Sequence, residues 1–388
     1  MGITSPGSAV YAVQVVHADR PDWADDLRSA LDEEILALGL HRVVALDISP
    51  AEPTTNPAVT VLLGSVAAST DRRCVAAVAN ALADLRVVLP VVDDLGNFSA
   101  QVPTALHRLN GWEWRGPEGA SRLARLVLEE LGIEERQRRV FISHKREDGL
   151  LAAERLFEHL AKHGFDPFID RFDIRGGADV QASIGDALEK HAFLLLLETP
   201  LAHSSEWVYD EVDYALSHAM GLHIVTWPGS PREVPGSSRL PRQYLTSADL
   251  ETLKGYEVLT DDALDRTLAN IEAAHALALV RRRRSLLRSI EDAVESKGFS
   301  CTPMPHWRLL VEGWNRRDLV AVSSRLPEVI DLKGLDAARD QISAGAATSA
   351  VLVHAARILR EDRRELLEWA AADRPITLLP ENASGGYW

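Results

Sequence analysis

Short apolar runs alternate with amphipathic stretches along the first 280 residues or so. In the middle, RRVFISH (Arg138–His144) is a run of strand type, and Gly149–His163 carries Leu150, Ala153, Leu156, Phe157 and Leu160 at helical spacing. Gly164 stands where a helix C-cap glycine belongs. FDPFID (Phe165–Asp170) predicts a second strand, and a Gly176–Gly177 loop leads to a helix over Val180–Lys190. HAFLLLLE (His191–Glu198) is a continuous apolar strand. A loop with capping serines follows, then a helix through VYDEVDYALSHAM closed by Gly221, then the strand LHIVTW (Leu222–Trp227). Strands alternating with helices predict a parallel sheet covered on both faces.

The first third repeats this plan. Strands are predicted at Tyr11–Ala18, His41–Ile48, Ala58–Ser65 and Arg86–Asp93, with helices at Trp23–Leu38 and Arg72–Leu85. Laying TDRRCVAAVANAL (Thr70–Leu82) under SSEWVYDEVDYAL (Ser204–Leu216), an offset of 134, superimposes two helices. The stretches after them also agree, Val102–Trp114 with a helix at Ser121–Leu131 matching LPRQYLTSADLETLKGYEVL with a helix at Asp262–Leu277. The economical reading is internal duplication of one α/β unit. After Arg281–Arg284, a helix at Ser285–Lys297 opens a last region with strands at Phe299–Met304, Leu319–Ser323, Ser349–His354 and Pro375–Leu379, and a helix at Glu361–Ala371. The expected division is therefore residues 1–132, 133–280 and 281–388, the last a small α/β domain.

Composition changes this picture little. The chain has 388 residues, 46% hydrophobic and 26% charged, enough apolar material for more than one core. A net charge of −15 gives no field that would draw nucleic acid or an anionic membrane. Cys74 and Cys301 are far apart and make neither a disulfide framework nor a zinc pattern; each is expected as a free buried thiol. No apolar run approaches the ~18 residues of a membrane span. The opening MGITSPGSAVYAVQVV lacks a basic start, and Pro6 stands where a myristoylation signal wants Ser or Thr. A soluble cytoplasmic protein without membrane partners is the expectation.

The middle segment resembles the TIR domain family over roughly 140 residues. VFISHKRED matches the first box of that family, GFDPFIDRFDIRGGADV is similar to its second strand and glycine-bearing loop, and SEWVYDE (Ser205–Glu211) is similar to the Trp-x-x-x-Glu element of TIR domains that hydrolyse NAD. The resemblance implies flavodoxin-like TIR domains with parallel sheets in tandem, the first copy degenerate. It implies NAD+ as substrate with no cofactor beside it, cleaved to nicotinamide and ADP-ribose or its cyclic form. It also implies a regulated defence effector activated when TIR domains self-associate, its trigger a protein or ligand acting through the flanking segments. Ser143, Lys145 and Arg146 then correspond to positions near the nucleotide, Phe141 and Asp170 to strand ends, and Gly176–Gly177 to the loop that gates the pocket. Trp227 is a candidate to stack on adenine.

Cleaving nicotinamide from NAD+ needs little acid catalysis, because the pyridinium leaves as a neutral base. Positive charge develops on the ribose, and a carboxylate held beside the sugar stabilises it. Glu211 fits that task, with Trp207 one turn earlier on the same helix face, lowering local polarity and offering a flat surface. The bland alternatives are plain. Trp207 is as readily a core residue, and Lys145–Asp148 a charged loop. His144 packs or caps, Asp210 and Asp213 are solvated, and His203, Ser204 and Ser205 are too close in one loop for a hydrolase triad. Arg281–Arg284 reads as a helix face or a contact to acidic surface ahead of an RNA site. In the first copy Ala77 stands in place of Glu211 and Arg73 in place of Trp207, so that copy lacks the carboxylate. The last region weakly resembles restriction-endonuclease-like folds without their paired acid and lysine, which suggests sensing or assembly. The competing class for the whole chain is a non-catalytic TIR adaptor; base exchange on the same fold is a third reading.

Overall fold

Strands that are apolar almost throughout belong inside a sheet covered on both faces. Ala58–Leu63, Val87–Val92 and Phe193–Glu198 are buried along their whole length, and they form the centres of two parallel sheets. The computed structural model describes residues 9–38, 40–41, 44–48, 57–109, 111–133, 138–169, 188, 191–230, 232–313, 316–342, 349–355 and 361–388.

The first sheet contains β1 (Ala9–His17), β2 (Val44–Asp47), β3 (Ala58–Leu63), β4 (Val87–Val92) and β5 (Trp112–Glu113), in the order β2-β1-β3-β4-β5. The second contains β6 (Arg139–Ser143), β7 (Asp166–Ile169), β8 (Phe193–Glu198), β9 (Gly221–Thr226) and β10 (Arg242–Tyr244), in the order β10-β9-β8-β6-β7. Numbered from each sheet's own first strand, both orders read 2-1-3-4-5, the flavodoxin-like arrangement. The offset of 134 carries the helix Arg72–Ala83 onto Glu206–Ser217 and β4 onto β9. A hairpin of β11 (Leu250–Leu253) and β12 (Tyr256–Leu259) follows the second sheet.

The third sheet is mixed. β13 (Ser300–Met304), β14 (Arg308–Gly313) and β15 (Arg316–Ser323) are antiparallel neighbours, while β16 (Ser349–His354) and β17 (Ile376–Pro380) continue in parallel from β15. β14 and the helix Val329–Gln341 were not expected from the sequence. The helices expected at Asp262–Leu277 and Ser285–Lys297 are one continuous 35-residue helix, Asp261–Glu295. The arginine run lies within it, and Arg282 pairs with Glu381 at 2.8 Å while Arg283 lies over the Trp307 ring.

The chain forms two compact units: Met1–Val10, Ile35–Ala45 and Gly132–Val280 make one, and Tyr11–Glu34, Leu46–Leu131 and Arg281–Trp388 the other. In the latter, a single core joins Leu62, Cys74, Val78 and Val88 to Leu310, Leu319, Leu332 and Leu352. Cys74 is buried within that core, but Cys301 is only half-buried, against the expectation for it.

In the other unit the second sheet is anchored by a buried ion pair. Arg138, just ahead of β6, meets Glu272 through two bonds of 2.8 and 2.5 Å, donates to the Gly164 carbonyl and lies over the Phe165 ring. Both partners are almost fully buried, so each charge depends on the other. Gly221 does not close the preceding helix as expected. That helix ends at Ser217, Ala219 takes the left-handed backbone conformation (φ 43°), and Gly221 opens β9. A Cβ on Gly221 would lie 2.4 Å from the Ala278 methyl, so the missing side chain lets the long helix approach the sheet.

Candidate functional site

In a doubly wound sheet, ligands bind outside the carboxyl ends of the strands where the winding reverses. In the second sheet that point lies between β6 and β8: the helix Arg146–Lys162 leads from β6 to β7 on one side, and Glu206–Ser217 leads from β8 to β9 on the other. Ser143, Lys145 and Arg146 lie at the start of the first of these connections, and Trp207 and Glu211 on the second.

Ser205 caps the second helix, its hydroxyl accepting from the Val208 N–H, and Glu206 sits in the first turn where a carboxylate complements the helix dipole. Four residues apart on the next turns, Trp207 and Glu211 are joined by a hydrogen bond: the indole Nε1 donates to Oε1 of Glu211 at 2.7 Å. Glu211 is 2% exposed, against half-buried Trp207, while Asp210 and Asp213 face solvent. Of the helix's three mid-length carboxylates, Glu211 alone is turned into the protein. The apolar side of Trp207 packs on the core around Val208, Val212 and Leu196.

Ser143 ends β6 and is 1% exposed, and its hydroxyl has no hydrogen-bond partner among the described residues. Lys145 follows at the helix entry and is paired with Glu147 at 3.2 Å. Arg146 opens the helix, half-buried. These three therefore stand together at the end of β6. Phe141 does not stand at a strand end as expected. It occupies the middle of β6, 1% exposed, with its ring against Phe168 and His191, because β6 is covered on both faces. Trp227 follows β9, but at 2% exposure its ring is enclosed and presents no face for stacking. Asp170, Gly176 and Gly177, and the helix expected at Val180–Lys190 apart from Leu188, lie outside the described residues.

Two carboxylates that sequence reasoning did not single out hold the site's frame. Asp148 accepts from the Thr199 hydroxyl and the Leu201 N–H, both at 2.8 Å, and so ties the first helix to the loop after β8. Glu198, at the end of β8 and 1% exposed, accepts from Thr226, from the Val234 N–H and from both Nε and Nη2 of Arg242. Arg242 also donates to the Ser237 carbonyl and hydroxyl, closing the Pro/Gly/Ser loop over the sheet edge. The one signal for Glu198 was an acid ending a wholly apolar strand; its partners lie 28 to 44 residues away. Glu198 is thus held by structural bonds from Thr226, Val234 and Arg242, and the bond from Trp207 to Glu211 comes from within one helix. Among the described residues no group of three or more His, Cys, Asp or Glu could hold a metal ion, and no helix is long and apolar enough to cross a membrane.

A comparison with curated proteins finds no match to this chain. The stretch from β6 through β12, with the first box, the Trp207–Glu211 helix and the 2-1-3-4-5 sheet, is matched by the family model described as the TIR domain over residues 140–260, and the chain accordingly carries a TIR domain there.

Proposed function

We propose that the TIR domain cleaves NAD+ at the nicotinamide–ribose bond, with Glu211 as its catalytic carboxylate. The observation that supports this reading is the Trp207–Glu211 hydrogen bond, which orients a turned-in carboxylate on the helix that follows β8. Bond breaking sends the C1′–N pair to the nicotinamide nitrogen, which leaves neutral. Positive charge spreads over C1′ and the ring oxygen, and an oriented carboxylate stabilises it. Water then adds to C1′ and loses a proton, giving ADP-ribose; attack by a base nitrogen of the same molecule gives the cyclic form. Ser143, Lys145 and Arg146, at the end of β6, are the groups proposed to meet the polar backbone of the nucleotide.

The first sheet is proposed as a TIR-like copy without this chemistry. Its strand order and helix register repeat those of the TIR domain, while Ala77 and Arg73 replace Glu211 and Trp207. One active site per chain follows. Self-association of TIR domains in the cytoplasm, under control of the other unit, is the proposed mode of activation, in a defence role.

The test is nicotinamide release from NAD+ by the full chain, with and without a crowding agent, followed by chromatography. Wild type and Asp210→Asn are expected to release nicotinamide at similar rates, and Glu211→Ala to lose at least a hundredfold. Equal release by Glu211→Ala would remove the assignment. No release by wild type in any state of assembly would leave the adaptor reading in its place.

A further inference from the structure

Several departures from ordinary structure converge on the turn between β13 and β14. Met304 and Arg308 face each other across the ladder, so Pro305, His306 and Trp307 make the connection. His306 and Trp307 both adopt left-handed backbone conformations, with φ of 62° and 54°, without being glycine. Such a residue is strained and persists only where its surroundings impose it. Here Glu130 imposes it: both carboxylate oxygens accept from the His306 N–H at 2.6 and 2.8 Å, and its carbonyl accepts from the Trp307 indole at 3.0 Å.

Glu130 is itself out of place. It is fully buried and ends the helix Pro117–Glu130, where the dipole disfavours a negative charge. Burial pushes its carboxyl up to about 6, against the pull of His306. On the other side of the turn, Arg308 is half-buried, with no hydrogen bond or ion pair among the described residues; Glu130 and Glu129 act on it only at a distance. A guanidinium partly withdrawn from water, with no such partner, is open to an anion.

Arg308 and His306 line a cavity of about 230 Å³ whose other walls include Trp112, Met304, Leu319 and Ile342. The cavity lies within one unit of the chain and far in sequence from the Trp207–Glu211 helix. An apolar, partly aromatic pocket with one cationic corner suits a flat ring carrying a single anionic group. We propose that this cavity binds a small ring compound bearing one anionic group, carboxylate or phosphate, with Arg308 as its charge partner. The imposed turn then has a purpose: it presents the cationic edge of β14 to the chamber. Departures from local rules gather where a site needs them.

The experiment uses the full chain and four probes, benzoate, phenyl phosphate, benzamide and inorganic phosphate, with binding read by saturation-transfer NMR and melting-temperature shift. Saturable binding is expected for benzoate or phenyl phosphate, at least tenfold weaker for neutral benzamide and for ring-free phosphate. Whichever ring anion binds more tightly identifies the acid as carboxylate or phosphate. Arg308→Met is expected to weaken that binding at least tenfold without lowering the melting temperature of the ligand-free protein. Ala338→Phe, which projects a ring into the same chamber, is expected to block it as an independent check. The proposal is overturned if no anionic probe binds saturably, if phosphate alone binds as well as phenyl phosphate, or if both variants bind as wild type does.

Discussion

At the residue scale, the hydrogen bond from Trp207 gives the indole a role that spacing alone did not reveal. Four-residue spacing placed both side chains on one face, and an apolar or stacking role was the expectation; the structure adds a donor aimed at Oε1 of Glu211. Trp207→Phe keeps the ring and removes the N–H. A hydrogen bond to a charged group contributes about 1.5–3 kcal/mol, so nicotinamide release should fall roughly ten- to a hundredfold with Glu211 intact. An unchanged rate would show that the ring alone matters. Glu130 supports a second prediction. Its carboxyl binds a proton more readily folded than unfolded, because burial raises it from 4.5 to about 6, so its contribution to stability falls as pH rises across that window. His306 adds to the trend. Burial opposes its charge, but Glu129 and Glu130 outweigh that and outweigh Arg308, holding it above 6.5, and the stability it adds is lost as pH rises through that raised value. Glu130→Gln should flatten the melting temperature between pH 4.5 and 6, removing a slope worth about 2 kcal/mol. An identical pH profile in the variant would refute the assignment. Phe141 and Glu198 show where residue-level reading runs out: whether a strand residue faces the core, and which distant groups surround an acid, are settled by packing.

At the scale of elements, the strands and helices of the parallel sheets were legible because continuous apolar runs and 3.6-residue spacing are strong signals. The third sheet was less so. β14 (RLLVEG) reads as no clean alternation, since its middle residues are all buried while its ends are polar. The helix Val329–Gln341 carries Gly334 in its interior and exposes Val329 and Ile330, which blurs its periodicity. The long helix Asp261–Glu295 hid its continuity behind four arginines, which are good helix formers and not a boundary. Its attachment to the TIR domain can be tested directly. Glu272→Ala leaves Arg138 buried without its counter-charge and should cost about 3–5 kcal/mol in denaturant unfolding, whereas Arg138→Met with Glu272→Leu should recover most of that loss. Gly221→Val should destabilise by about 1–3 kcal/mol through overpacking against Ala278 and Phe193. A neutral result would mean that the helix shifts away at little cost.

At the scale of the molecule, three segments were read from pattern, while the fold gathers residues 46–131 and 281–388 into one unit. Nothing periodic in either segment announces that they share a core, because the contacts of Leu62 and Val88 with the group around Leu310 and Leu352 are non-local. Removing 281–388 should therefore strip cover from the first sheet. Hydrogen exchange should then show lost protection in β3 and β4, with β6 and β8 unchanged; protection retained in all four strands would argue against a shared core. The same division sets an order of events during synthesis. Every residue of the unit that holds the TIR domain has been made by Val280, while its neighbour must wait for the residues from Arg281 onward. At ~5–20 residues per second, the first sheet spends on the order of ten to fifty seconds without its remaining core, during which the domain bearing Glu211 is free to finish folding. A nascent chain thus completes the unit proposed to be catalytic ahead of the one proposed to restrain it, which favours a restraint that acts on assembly over one that shields each newborn chain.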